Sequence, residues 1–319
     1  MKIVILDGYT VNPGDLSWNQ LEKFGALTVY DRTPPELVVS RIGDADIIMT
    51  NKCLLTKEVL SACPKVKWIG ILATGFNNVD LAYTKEHGIP VTNIPAYSTN
   101  SVVQLTFSLL LEICNQVRIH SDAVHSGAWQ SSEDFCFTKT PQMELWGKTF
   151  GIIGFGSIGR SVAKVAEALE MRVLIASSHP DPSFESERIT FTTQQDLFAQ
   201  ADVISLHCPL TEEKRGFINS RSMSEMKDGV ILLNTARGPL INEADLAEAL
   251  RSGKVAGAGL DVLSSEPPRA GSPLFGIPNC IITPHIAWNT KEARSRLIDT
   301  AVSNLAAFME GKKHNCVNL

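Results

Sequence analysis

Apolar and polar positions alternate in two series along this chain, and each series has the rhythm of strands separated by helices. In the first hundred residues, segments 2–6, 27–30, 46–50, 67–72 and 90–93 are short aliphatic or β-branched runs. Runs of that length without polar alternation suit parallel strands covered on both faces. Between the last two, residues 81–87 have helical spacing and stop at Gly88, a residue that tolerates the left-handed backbone of a helix end. From Ser101 the pattern becomes one long helical stretch reaching about His125, a candidate connection between two domains. A polar loop with aromatic residues follows over 129–145, either a plain surface loop or an arm that wraps a second subunit. The second series then has strands at 149–153, 172–176, 202–207, 230–234, 255–260 and 280–283. A last helix is expected over 290–309, packing back on the first domain. The layout is α/β with two doubly wound parallel sheets.

Length agrees with that division, since 319 residues exceed what one core usually organises. With 44% hydrophobic and 20% charged residues the composition is that of an ordinary globular protein, and no low-complexity tract is present. A net charge of −5 with dispersed Lys and Arg offers no basic stripe, so nucleic acid is not an expected partner. The first residues carry a charge too early for a signal peptide, and no run approaches membrane-spanning length, so no membrane partner is expected. Seven cysteines without a C-x-x-C pair suit a reducing compartment, and a cytoplasmic location is expected.

The sharpest local signal is Gly154-Phe-Gly-Ser-Ile-Gly159, which follows an apolar strand and opens a helix over 158–169. Free N–H groups and the positive end of the helix dipole would meet a pyrophosphate there. The first glycine permits the turn, the second lets phosphate reach the backbone, and the third lets helix and strand pack closely. A merely tight strand–helix turn is the competing reading. The acidic residue that usually binds a ribose 2′-hydroxyl at the end of the next strand is replaced by Ser177, followed by Ser178 and His179. No Lys or Arg adjoins it in sequence, so these residues suit NAD or NADP equally.

Three ionisable residues fall at or beyond carboxyl ends of expected strands, where open α/β sheets bind ligands. Arg237, in Asn234-Thr-Ala-Arg-Gly238, is a bidentate donor suited to a carboxylate, or else a surface residue in a turn. His285 follows Thr283-Pro284 at the end of an apolar strand; Glu266 is its candidate partner, able to fix the tautomer and favour the imidazolium as a proton donor. Taken alone, the histidine reads as structural and the glutamate as a solvated loop charge. The remaining histidines form no metal set, and no metal is assigned.

Together with Gly259-Leu-Asp-Val262, Glu266-Pro267 and Pro284-His-Ile286, these motifs resemble the D-isomer-specific 2-hydroxyacid dehydrogenases over nearly the whole chain. The resemblance implies a Rossmann cofactor domain, residues 98–288, inserted in a flavodoxin-like substrate domain, residues 1–97 plus 289–319, with the substrate between them. It implies His285 as acid and base, Glu266 supporting it, and Arg237 on the substrate carboxylate and carbonyl. Asp261 would hold the nicotinamide carboxamide. Thr99, Ser157, Ile158, His207, Cys208, Pro209, Thr235 and Ala236 would complete the cofactor contacts. The loop Ala73-Thr-Gly-Phe-Asn77 resembles the family's carboxylate-binding loop, with Ala73, Thr74, Gly75 and Phe76 at the substrate, although a glycine-containing strand exit reads the same. Lys52 and Trp288 are candidate pocket walls, or a surface charge and a packing residue. Within the family the closest likeness is to glycerate dehydrogenases and hydroxypyruvate reductases, which implies hydroxypyruvate and D-glycerate as the substrate pair and a homodimer. A corepressor-like dinucleotide sensor, a dehydrogenase for 3-phosphoglycerate or lactate, and a methyl donor-binding transferase on the same glycine turn are the alternatives; formate oxidation is disfavoured by Glu266.

Overall fold

The computed structural model describes all of residues 1–319 and separates into two compact units: Met1–Ser98 with Trp288–Leu319, and Thr99–Ala287. In the first unit, strands β1 (Lys2–Ile5), β2 (Ala26–Val29), β3 (Ile47–Thr50), β4 (Trp68–Ile71) and β5 (Val91–Thr92) form a parallel sheet in the order β2-β1-β3-β4-β5. That is the flavodoxin-like order, and its direction reverses between β1 and β3. Strands β3 and β4 are buried along their whole length, which explains their unbroken apolar character. The C-terminal helix Lys291–Met309, capped by Thr290, lays Ala293, Leu297, Ala301 and Leu305 against Ile3, Ile5, Ile47 and Trp68 of this sheet.

The second unit contains β6 (Thr149–Ile153), β7 (Arg172–Ala176), β8 (Ile189–Phe191), β9 (Val203–Leu206), β10 (Val230–Asn234), β11 (Val255–Leu260) and β12 (Cys280–Ile282). All pairings are parallel and the order is β12-β11-β10-β9-β6-β7-β8, a Rossmann sheet with its reversal between β6 and β9. Strand β8 was not expected from the sequence: three residues at a sheet edge, only the first buried, give too short a signal. Elsewhere the expected strands are present, with ends displaced by a residue or two.

The long helix expected from Ser101 is two helices, Thr99–Asn115 and Val117–His125, bent by 58° at Gln116. Gln116 adopts a left-handed conformation, φ 46° and ψ 48°, which ends the first helix although the apolar spacing continues past it. The first helix begins where the second unit begins and belongs to that unit. It packs on the second sheet, with Leu109 and Ile113 over Gly259 and Gly257 of β11. A Cβ on Gly259 would lie 2.8 Å from the Leu109 Cβ and 2.9 Å from Leu233 Cδ2. The segment 129–145 contains no regular element, and Phe135 within it is 90% exposed.

The approach of that helix to β11 leads to a direct expectation. Gly259→Val should destabilise the protein by about 1–3 kcal/mol through overpacking, read as a lower urea midpoint with unchanged slope; an unaltered midpoint would show that the helix shifts without cost.

Candidate active site

Ligand-facing groups in such sheets lie beyond the carboxyl ends of the strands, nearest the reversal of strand order. The glycine turn sits there in the second unit. Gly154 has φ 103°, and its backbone passes so close to β9 that a Cβ would lie 2.5 Å from the His207 carbonyl oxygen. Gly159 meets the Gly154 carbonyl oxygen at 2.3 Å from a would-be Cβ, whereas Gly156 faces open space. The helix Ser157–Ala168 begins at Gly156 with no side-chain cap, leaving the N–H groups of Ser157, Ile158 and Gly159 without intrahelical acceptors. A pyrophosphate fits this arrangement: two glycines are fixed by packing, the third is open, and unfilled donors converge on it.

Around the turn, Thr99 Oγ1 approaches Ser157 Oγ at 3.5 Å and Thr235 Oγ1 pairs with Thr106 Oγ1 at 3.2 Å. His207, Cys208 and Pro209 form the exit of β9. His207 Nε2 meets Ser205 Oγ at 2.8 Å, and desolvation pushes its imidazole down to about 3, so this ring is neutral at physiological pH. Burial pushes the Cys208 thiol up. Ser177 directly follows β7, and its hydroxyl accepts a hydrogen bond from the His179 N–H at 3.1 Å. Ser178 Oγ contacts His179 Nδ1 at 2.9 Å. The nearby acidic group is Asp181, four residues further on, and it is bound to Arg160 at 2.8 Å while that guanidinium lies 4.2 Å over the Phe155 ring.

His285 and Glu266 meet as expected: the imidazole Nδ1 and Glu266 Oε2 are 2.6 Å apart. With Nδ1–H donated to the carboxylate, Nε2 is the nitrogen that can exchange a proton with a ligand. Glu266 Oε1 accepts from Leu263 N–H at 3.0 Å, so one carboxylate oxygen is tied to its own loop and the other to the imidazole. His285 itself has φ 54°, an uncommon conformation for a residue with a side chain. Asp261 holds it there. Its carboxylate, 1% exposed, accepts from Thr283 Oγ1 at 2.6 Å and from the N–H groups of Ile286 and Ala287 at 2.8 Å each, while its carbonyl accepts the His285 N–H at 2.8 Å. The family resemblance gives Asp261 a cofactor contact; the partners of its carboxylate seen here are all in the loop that carries the histidine.

Arg237 is exposed on the turn after β10, and its Nη1 donates to the Ala236 carbonyl at 2.7 Å. Asn234, 1% exposed, shapes this turn by donating to the Arg237 carbonyl and accepting the Ala236 N–H. Gly238 is obligatory for a different reason: a Cβ would overlap Leu263 carbonyl atoms at 1.9 Å, so the arginine turn and the loop leading to Glu266 are in backbone contact.

The first unit carries its own set. Asp7, just past β1, accepts from Thr50 Oγ1, Asn51 N–H, Lys52 N–H and Cys53 N–H at 2.9, 2.8, 2.6 and 3.1 Å, fixing the loop that bears Lys52. After β4, Thr74 Oγ1 donates to the Ile94 carbonyl and Asn93 Nδ2 to the Thr74 carbonyl, both at 2.8 Å. Ala73 accepts the Ile94 N–H at 3.0 Å, and the N–H groups of Thr74, Gly75 and Phe76 donate to nothing within the chain. Such a row suits a carboxylate. Trp288 packs edge-on against Tyr97 at 6.4 Å. Asp7, Asn234 and the bracing role of Asp261 were not found from sequence; the Asp-Gly and Asn-Thr-Ala-Arg-Gly strings mark the places without revealing the partners.

A doubly wound sheet with this glycine turn at its reversal is the form of a dinucleotide-binding Rossmann domain. The model of the D-isomer specific 2-hydroxyacid dehydrogenase NAD binding domain matches residues 107–287. A hydroxypyruvate reductase of Blautia hydrogenotrophica is 53% identical, covering 100% of both chains. A glycerate dehydrogenase of Methylorubrum extorquens is 37% identical over 99% of this chain and 98% of its own. Among solved structures, D-lactate dehydrogenase from Aquifex aeolicus complexed with NAD and lactic acid superposes with a TM-score of 0.84 at 32% identity, covering 98% of this chain and 96% of that one. The chain belongs to the D-isomer specific 2-hydroxyacid dehydrogenase family.

One bracing group gives a pH-dependent test. Glu243 accepts Ser264 N–H and Ser272 Oγ, both at 2.6 Å, on either side of Glu266 in sequence. Burial alone would push its carboxyl up, but the bonds from Ser264 and Ser272 outweigh it and hold it below the ordinary value of 4.5. A carboxyl with a depressed folded-state pKa stabilises above its unfolded value and loses that contribution as pH falls through the folded one. Glu243→Gln should therefore cost about 1–2 kcal/mol at neutral pH, with the gap to the parent closing as pH falls below the ordinary value of 4.5 and through the lower folded-state one. A difference in melting temperature that does not vary with pH would contradict this.

Proposed function

We propose that this protein reduces hydroxypyruvate to D-glycerate, and reverses that reaction, with a nicotinamide dinucleotide. The observation that carries the reading is the His285–Glu266 pair, a histidine with one nitrogen locked by a carboxylate and the other available. The 53% identity to a hydroxypyruvate reductase over the full chain supports the choice of substrate.

In this reading Gly154, Gly156, Ser157, Ile158 and Gly159 hold the pyrophosphate, with Thr99, Ser177, His207, Cys208, Pro209, Thr235, Ala236 and Asp261 around the rest of the dinucleotide. Bound there, the nicotinamide supplies or accepts the hydride. Arg237 binds the substrate carboxylate and carbonyl oxygen, and its charge opposes the negative charge that develops on that oxygen during reduction. His285 delivers a proton from Nε2 to the same oxygen while Glu266 stabilises the imidazolium through Nδ1; in oxidation Nε2 takes the proton back. The donor row of Thr74, Gly75 and Phe76 offers a second place for a carboxylate, with Ala73, Lys52 and Trp288 as nearby wall residues in the same unit. Ser177 and Ser178 neither repel a 2′-phosphate nor supply a cation for it, so this end of the site suits NAD or NADP. The sensor, transferase and other-substrate alternatives draw no comparable support.

A reducing, cytoplasmic setting is proposed from seven cysteines without a C-x-x-C pair. A homodimer is proposed through the second helix and the loop after it, where Val117, Ile119, Trp129 and Phe135 are exposed.

A panel of hydroxypyruvate, glyoxylate, pyruvate and 3-phosphohydroxypyruvate with NADH and NADPH, followed by nicotinamide absorbance, should give the highest kcat/KM on hydroxypyruvate. His285→Ala should lower kcat by about 10²–10⁴ with dinucleotide affinity retained. Preference for another acid would refute the substrate, and joint loss of turnover and dinucleotide binding would refute the role of His285. Light scattering should give twice the chain mass, shifting toward one chain mass in Phe135→Asp; a monomeric parent would remove the dimer proposal.

A further inference from the structure

Three asparagines of the first unit form a line of hydrogen bonds that ends at the donor row of Thr74, Gly75 and Phe76. Asn315, in the segment after the helix Lys291–Met309, donates from Nδ2 to Asn304 Oδ1 at 2.8 Å. Asn304 belongs to that helix, is 1% exposed, and donates from its own Nδ2 to the Asn93 carbonyl at 2.9 Å. Asn93, 8% exposed, donates from Nδ2 to the Thr74 carbonyl at 2.8 Å. The line closes on itself, because the Asn93 N–H donates to the Asn315 carbonyl at 3.1 Å. Asn304 accepts from one group and donates to another, which an amide does and an ionised carboxylate does not.

Both ends of the line are built into the fold. At the outer end, the Val317 N–H donates to the Val91 carbonyl at 2.9 Å, Cys316 bridges antiparallel to Thr92, and Asn318 Oδ1 accepts the Val91 N–H at 2.9 Å, so the segment bearing Asn315 is bonded along β5. At the inner end, the bonds decide which way the donor row faces. The carbonyl and N–H of a trans peptide point in opposite directions. The Ile94 N–H holds the Ala73 carbonyl at 3.0 Å, so the Thr74 N–H points away from residues 93 and 94. Asn93 holds the Thr74 carbonyl, so the Gly75 N–H points the same way. That peptide needs such a bond, since glycine leaves its backbone free to take up other conformations.

We propose that Asn93 is a positioning residue for the substrate, its amide turning the Gly75 N–H toward the carboxylate while Asn304 and Asn315 hold Asn93 in place. The inference rests on the proposed role of the donor row as a carboxylate site. Without the Asn93 bond, the peptide between Thr74 and Gly75 is free to turn its carbonyl outward and present the negative end of its dipole to an anion. The loss falls on substrate affinity and spares dinucleotide binding and proton exchange at His285.

The test uses the full-length protein and whichever acid of the panel it turns over best. Asn93→Ala removes the amide but leaves the main-chain bonds of residue 93 to Asn304 and Asn315. It should raise KM by about fivefold or more, with kcat and dinucleotide affinity unchanged, the pattern of a lost binding interaction. Asn315→Gly keeps a backbone able to adopt the left-handed φ of 51° at that position and removes only the outer amide; it should raise KM by about twofold. In nitrogen-labelled protein without substrate, the Gly75 amide resonance should move in Asn93→Ala. An unmoved resonance, or a fall in kcat with KM unchanged, would overturn the positioning role. A resonance that moves while KM stays level would overturn the inference through the reading beneath it, the carboxylate role of the donor row. Should Asn93→Ala fail to fold, Asn315→Gly decides, and an unchanged KM there would overturn the relay.

Discussion

Each unit of this protein depends on one aspartate that accepts hydrogen bonds from the loop after a neighbouring strand. Asp7 stands beyond β1 and gathers the hydroxyl of Thr50 with three backbone N–H groups after β3. Asp261 stands beyond β11 and gathers the hydroxyl of Thr283 with two backbone N–H groups after β12. The bonding is alike in both places, with Asp7 half-buried and Asp261 fully withdrawn from water. A carboxylate withdrawn from water is tolerable only when several donors replace the lost solvent, and backbone N–H groups can do so only if the loop adopts one conformation. The cost of burying the charge thereby becomes a constraint on the loop.

That constraint places His285. Its left-handed backbone would be disfavoured in isolation, and the Asp261 bonds on both sides of it over-determine the conformation. Glu266 then needs only to meet an imidazole whose position is already set, and Glu243 holds the loop from which Glu266 projects. Asn234 does for the Arg237 turn what Asp261 does for the histidine, with a neutral amide sufficing because it serves one donor and one acceptor.

How much of this was readable in the sequence depends on where each signal resides. The buried strands announce themselves because both faces are apolar, and the glycine turn does so because three steric demands fall at fixed spacing. Arg237, Glu266 and His285 were legible as types of residue at strand ends. The groups that hold the loops were not, because Asp7, Asp261 and Asn234 bond chiefly to backbone groups, and a backbone N–H leaves no trace in the pattern of side chains. The bend at Gln116 was missed for a related reason: the apolar spacing carries on through Val117 and Ile119, while the break is a single left-handed residue of unremarkable type. Strand β8 was missed because edge strands lack the two-sided burial that marks the others.

The division between buried supports and exposed chemical groups has a consequence for function. Arg237 is exposed and His285 partly so, whereas Asp261 and Asn234 are each 1% exposed. Side chains that must reach a ligand contribute little packing where they stand, so their positions have to be imposed from beneath by groups that contribute a great deal. Arginine and histidine here are carried on backbone held by hydrogen bonds on either side of them. A loop held only by apolar contacts could slide by a fraction of an ångström at little cost; a loop whose N–H groups satisfy a buried carboxylate cannot move without exposing that charge to an unmatched interior. The backbone that carries His285 is therefore as firmly held as the electrostatic penalty beneath it is large.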